Sequence, residues 1–198
     1  MNVIFLDIDG VMNSELFYRK RHKKRWLKLD TYIWFIQSKA KFVLNGFKYK
    51  PISLVGYEIP EKHKEFNHLF DRLIEETDNE KWKWLYEYCN KTNTKICISS
   101  TWKNHFHSDE IINLEWWNKA LTMIGFNQDI FVGITPNMRT IRGEEIKIWL
   151  DKNTVNKYAI IDDDSDMLPE QKPSFFLSDG YVGLTPTIIY RIDRHFKK

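Results

Sequence analysis

Cysteine is scarce: Cys89 and Cys97 are the only two in 198 residues. Cys97 falls inside a run predicted to be a buried strand, which argues against a disulfide framework and makes a reducing compartment, the cytoplasm, the expected setting. No apolar run approaches the roughly 20 residues that a bilayer demands, and no cleavage-site pattern follows the start, so neither a spanning helix nor a secretory leader is expected. A large net charge is missing too, at +3 overall. Aromatic residues, by contrast, are plentiful: thirteen Phe, nine Tyr and eight Trp. That is more than a disordered chain carries, and it implies a packed protein with some aromatic surface exposed. The length suits one domain of ordinary size with room for a subdomain. Charge is unevenly spread, because Arg19-Lys20-Arg21-His22-Lys23-Lys24-Arg25 gathers six formal cations in seven residues.

The stretch Val3-Ile4-Phe5-Leu6-Asp7-Ile8-Asp9-Gly10-Val11 organises the rest. Its four leading apolar residues read as a strand buried on both faces, as strands of a helix-covered parallel sheet are. The carboxylates of Asp7 and Asp9 leave the carboxyl end of that strand, where open α/β sheets place their ligands. Gly10 lets the chain turn away at once. A strand ending in a polar turn would look the same at this one place. A calcium loop fits poorly, since its glycine belongs at the sixth position and Met12 stands there.

Further along, Lys95-Ile96-Cys97-Ile98 reads as a second buried strand, ending in Ser99, Ser100 and Thr101 and then the cation Lys103. A hydroxyl cluster ahead of a helix is also an ordinary N-cap. Helical spacing of apolar residues runs from Glu61 to Asn90, broken and capped near Thr77-Asp78-Asn79, and again from Glu110 to Gly125. Ile130 to Ile134 is a third strand. Arg139 and Arg142 open the next amphipathic helix, although a helix start favours acids; a charge locally out of place points to an anionic partner outside the helix. Tyr158-Ala159-Ile160-Ile161 is a fourth strand, running into Asp162, Asp163, Asp164 and Asp166. Acids so crowded repel one another unless a cation sits among them, and Mg2+ is the natural ion for an all-oxygen site. Phe175-Phe176-Leu177 is a short last strand and Thr185 to Phe196 a closing helix.

Residues 13 to 60 break the pattern: the basic run, mixed aromatic and β-branched residues, then an Asn45-Gly46 hairpin signal. An inserted cap or flap is expected at 13–60, with a core at 1–12 and 61–198.

A strand running into D-x-D-G, a strand ending in Ser or Thr, a basic residue opening a helix and a strand ending in paired acids together resemble the haloacid-dehalogenase-like (HAD) phosphohydrolases. I-S-S-T-W-K, R-G-E-E-I-x-x-W-L, I-D-D-D-S-D-M and G-L-T resemble, more narrowly, a subgroup associated with RNA-repair-type domains, in which Arg often stands at the position of Lys103. The resemblance covers residues 3–11 and 95–196. It implies a three-layer, Rossmann-like α/β fold with a mostly parallel sheet, and a Mg2+-dependent phosphatase working through an aspartyl-phosphate.

The same resemblance assigns roles. Asp7 is the nucleophile and Asp9 the general acid and then base. Ser99 is the phosphoryl-oxygen donor, with Ser100 or Thr101 as alternatives. Arg142 is the third-motif cation, with Lys147 as the alternative. Gly10, Ser100, Lys103 and Lys147 are candidate substrate contacts. Mg2+ would rest on Asp7, the Asp9 carbonyl, and Asp162 or Asp163. The expected partner is a phosphorylated substrate, with RNA or DNA ends the leading class. A small-metabolite phosphatase and a catalytically silent nucleic-acid-binding module are the rival functions.

Overall fold

The computed structural model describes residues 1–25, 72–73, 75–105, 110–123, 130–138 and 140–198. Most of the expected insert, including the Asn45-Gly46 hairpin, lies outside these residues, as do Gly125 and the helical positions of 61–71.

Five strands form one sheet: β1 (Asn2–Leu6), β2 (Lys95–Ile98), β3 (Phe131–Ile134), β4 (Lys157–Asp162) and β5 (Phe175–Leu177). Their order is β3-β2-β1-β4-β5, and every pair is parallel. The expectation of a mostly parallel sheet is therefore met in its strict form. Among the described residues the helices of full extent are α1 (Glu15–Arg25), α2 (Asn79–Thr92), α3 (Glu110–Met123), α4 (Arg142–Lys152) and α5 (Pro186–Lys197). Asp78 caps α2, its side chain accepting from Glu80 N, and Thr185 caps α5 by accepting from Ile188 N. Both are short oxygen-bearing side chains that satisfy an otherwise orphaned helix N–H.

Pleat alternation sorts the core into two layers. Ile4, Leu6, Ile96, Ile98, Ala159 and Ile161 face one way, against Trp82 and Leu85 of α2, Trp117 of α3, and Ile188 and Ile192 of α5. Val3, Phe5, Cys97 and Ile160 face the other way, against Ile146 and Trp149 of α4. Phe5 meets Trp149 edge to face, with centroids 5.3 Å apart. The sheet is thus covered on both sides, which explains why its strands read as unbroken apolar runs. The order also reverses beside β1: the chain steps outward through β2 and β3, then returns to lay β4 and β5 on the other flank. The carboxyl ends of β1 and β4 therefore flank the switch point, the place where such sheets bind ligands.

The start of the expected insert carries a helix to which the sequence reading gave no form. Residues 15–25 are helical, and α1 carries the basic run. Periodicity misses it because α1 has no apolar stripe; its helical form is anchored at its first turn, where Glu15 N and Leu16 N donate to the carbonyls of Gly180 and Tyr181 at 3.1 and 2.9 Å. Among the described residues no helix is long and apolar enough to cross a membrane.

Lys103 lies in a short 3-10 helix (Thr101–His105) after β2 and is only 6% exposed. Its Nζ donates to Glu145 Oε2 at 2.5 Å, to Thr135 Oγ1 at 2.8 Å and to the Pro136 carbonyl at 3.2 Å. Burial pushes its pKa below the ordinary lysine value, while Glu145 opposes that shift. This pair ties the end of β2 to the end of β3 and to α4. Lys103→Met should lower stability by about 3–5 kcal/mol, because it strands the buried Glu145 carboxylate. Lys103→Met with Glu145→Leu should recover much of that loss; urea melts of the two variants check this, and a mild effect of the single change would contradict it.

Candidate active site

The parallel ladder runs one residue past the strands along their carboxyl edge. Asp7 N donates to Ile161 O at 3.0 Å, Ser99 N to Leu6 O at 2.9 Å, Thr135 N to Ile98 O at 2.9 Å and Ser178 N to Asp162 O at 2.8 Å. Since Leu6 pairs with Ile161, Asp7 and Asp162 follow side by side. The sheet thereby sets two carboxylates next to each other, both buried: Asp7 is 3% exposed and Asp162 fully enclosed.

Arg142, the first residue of α4, bridges them. Its Nη1 donates to Asp7 Oδ1 at 2.6 Å and to the Ser99 carbonyl, and its Nε stands 3.0 Å from Asp162 Oδ2. The out-of-place cation at a helix start thus finds its anions across the sheet edge. The helix opening it disfavours is offset by Asp166, whose Oδ2 accepts from Arg142 N at 3.0 Å. Lys147 is exposed farther along α4, and five residues at 100° each turn it well away from the Arg142 direction. Between the two cations left open by the sequence, Arg142 is the one that meets the acids.

Asp7, Asp162 and Asp163 bring one carboxylate oxygen each to within 4.8 Å of one another. Three carboxylates against one guanidinium leave two formal negative charges, and the strain shows in their protonation. Burial, and then the neighbouring Asp7 charge, push the Asp162 carboxyl up to about 8. Burial raises Asp7 while Arg142 pulls it back, and burial also raises Asp163. For Arg142, burial works to lower the pKa, and the Asp7 and Asp162 carboxylates more than reverse it. Asp162 Oδ2, although close to Arg142 Nε, makes no hydrogen bond of good geometry and is shielded from solvent. An all-oxygen cluster short of two positive charges, with a buried oxygen left over, fits a small divalent cation such as Mg2+. The side chain of Asp9 is not among the three converging acids.

Main chain lines the site on the Asp163 side. Gly10 has φ +67°, and a Cβ there would lie 2.0 Å from Asp163 Oδ2; one at Gly180 would lie 2.9 Å from the same oxygen. Only glycine permits both the left-handed backbone and the close approach at position 10. Ser178 Oγ donates to the Gly10 carbonyl at 3.1 Å, holding the Gly180 loop in place.

The two serines after β2 separate. Ser100 hydrogen-bonds Asp7 through its side chain, and its Oγ also accepts from Trp102 N at 3.4 Å. Ser99 Oγ is buried and has no hydrogen-bond partner among the described residues. Lys103 stands apart from the acids, since its ammonium is directed to Glu145, Thr135 and Pro136; the phosphate contact expected of it finds no support, because burial forces that charge into an internal pair. The sequence reading missed Asn13 and Trp102, which touch Asp9 directly: Asn13 Nδ2 donates to Oδ1 at 2.8 Å and Trp102 Nε1 to Oδ2 at 3.0 Å. The only signal available was the nearness of each to a motif.

No curated protein and no solved structure matches the chain. A family model does, over residues 3–188, and its description is "HAD domain in Swiss Army Knife RNA repair proteins". That span runs through 12–94 as well, a stretch that the resemblance in the motifs alone did not cover. With β1 through the start of α5 inside the match and the motif residues gathered on one sheet edge, the chain belongs to this family of HAD domains.

Proposed function

We propose that the protein is a Mg2+-dependent phosphatase that hydrolyses a phosphomonoester through an aspartyl-phosphate on Asp7. The observation that carries this reading is the Asp7–Arg142–Asp162 constellation at the switch point, flanked by Asp163 and by the unused hydroxyl of Ser99.

Asp7, whose charge burial disfavours and Arg142 supports, attacks phosphorus with one carboxylate oxygen. The bond to the leaving oxygen breaks, and that oxygen takes a proton from Asp9. Ser99 donates to a phosphoryl oxygen, and Arg142 balances the charge that the phosphate brings beside the acids. Asp9 then accepts a proton from water as the water oxygen attacks phosphorus, breaking the Asp7–phosphorus linkage and releasing inorganic phosphate. Asp7, Asp162 and Asp163 would hold Mg2+, which supplies positive charge between the nucleophile and the incoming dianion. Family membership supports phosphatase chemistry in general.

Nucleic-acid or nucleotide ends are the leading substrate class. Support comes from the position of α1, which follows directly on the Asp9–Ser14 turn, carries the basic run, and has its first turn bound to the loop beside Asp163. A polyanion approaching there would be steered by the field. A small phosphorylated metabolite is the competing substrate.

Asp7→Asn should abolish release of phosphate while leaving the thermal melt close to that of the wild type; turnover near the wild-type level would refute the mechanism. Asp162→Asn or Asp163→Asn should raise the Mg2+ concentration needed for half-maximal activity, as read from an Mg2+ titration after EDTA treatment. If four cations of the basic run meet phosphates of one strand, the log–log salt slope for binding a phosphorylated oligonucleotide should be about −3. Replacing Arg19, Lys20, Lys23 and Lys24 by Ser should flatten that slope and weaken oligonucleotide binding far more than turnover of p-nitrophenyl phosphate. Equal losses on both would point to a damaged fold, and no loss on either would return α1 to the role of a solvated helix.

A further inference from the structure

Asp9 is exposed, yet its carboxylate is gripped from the inner side at both oxygens. The donors, Asn13 Nδ2 and Trp102 Nε1, belong to buried residues that are 2% and 1% exposed. Each donor is itself fixed. Asn13 Oδ1 accepts from Gly10 N at 2.9 Å, and its amide also meets Tyr18 Oη at 3.0 Å. Flipping that amide would set oxygen against the Asp9 carboxylate and N–H against Gly10 N–H, so one orientation is enforced.

Trp102 lies under Arg72, whose guanidinium carbon is 3.9 Å from the ring centroid. Arg72 in turn is held by Glu76, with Nε and Nη2 donating to Oε2 at 3.0 and 2.8 Å. A cation on the face of the indole is attracted by the ring. It also draws electron density from the ring and so sharpens the N–H as a donor. An ionised carboxylate offers about four lone-pair positions. Two are taken by the clamp, which sets the plane of the group and leaves one position on each oxygen for the transferred proton.

Resting on the phosphatase reading, we infer that Asn13 and Trp102 are positioning residues that fix the Asp9 carboxyl group for proton transfer to the leaving oxygen, with Arg72 reinforcing the hold through the Trp102 ring. In the step they serve, the phosphorus–oxygen bond breaks, its electron pair stays on the leaving oxygen, and the proton of Asp9 moves onto that oxygen. An alkoxide needs this proton to depart; a nitrophenolate departs without it.

The test compares kcat/KM for p-nitrophenyl phosphate and for ethyl phosphate, both with Mg2+ present. This ratio reports the steps through transfer to Asp7. Trp102→Phe keeps an aromatic ring and removes the N–H. Asn13→Asp keeps the acceptor for Gly10 and replaces the donor with a repelling carboxylate. Each should lose at least about tenfold more on ethyl phosphate than on p-nitrophenyl phosphate, a part of the ~10²–10⁴-fold that a general acid supplies. In an Asp9→Asn background Trp102→Phe should cost less than about twofold on p-nitrophenyl phosphate, since residues acting through one another are not additive. Equal losses on the two substrates by both variants, or the same loss with and without Asp9, would overturn the clamp while leaving the phosphatase reading intact. A wild-type chain that releases phosphate from neither substrate nor from any phosphorylated oligonucleotide would overturn both.

Discussion

Everything at the carboxyl edge of the sheet depends on one electrostatic problem: two buried carboxylates, Asp7 and Asp162, set side by side by strand register. Parallel pairing of β1 and β4 leaves no choice in the matter, because a shift of one residue between them would send one of the two side chains into the opposite layer. At about 4 Å, like charges cost about 4 kcal/mol even at an effective dielectric of 20. Arg142 relieves part of this from across the edge. What remains is a deficit that a bound cation would cover, so the fold keeps ready a charge imbalance that suits both a divalent ion and a phosphate beside it.

A second constraint is space. Where a side chain might have walled the acids, main chain does so instead, with Gly10 and Gly180 pressed against Asp163. The two cations near the site then divide their labour by burial. Arg142 remains partly reachable and pairs with the acids, whereas Lys103 is drawn inward to Glu145 and holds the ends of β2 and β3 to α4.

The sheet and its motif residues were legible because a strand covered on both faces must be apolar throughout, so its polar end stands out. Asp7, the hydroxyls after β2 and the acids after β4 stood out in that way, and Arg139 and Arg142 as charges in the wrong half of a helix; the choice of Ser99 among the hydroxyls and of Arg142 over Lys147 came from the family resemblance. The helix α1 was not legible, since six cations in seven consecutive residues carry no period. Lys103 looked like a phosphate contact because a cation followed the hydroxyls, while its true partner, Glu145, lies 42 residues on and nothing local announces the pair. Asn13 and Trp102 escaped for the same reason: Trp102 and Asp9 are 93 residues apart, and a lone buried Trp reads as packing.

The pairing of β1 with β4 also governs when the site can exist during folding. Asn2 pairs in register with Lys157, so β1 waits for the long stretch of chain between them before this neighbour arrives. Until then β1 has only β2 beside it and one edge of bare backbone groups, the kind of edge that invites foreign strands. Closing so long a loop is slow. Asp7 therefore spends the early life of the chain without Asp162, Asp163 or Arg142, unable to gather the ligands for a metal. The site is complete only when β4 and Arg142 are in place beside β1, and a chain in which β4 has not docked exposes an open edge next to an acid that has no counter-charge.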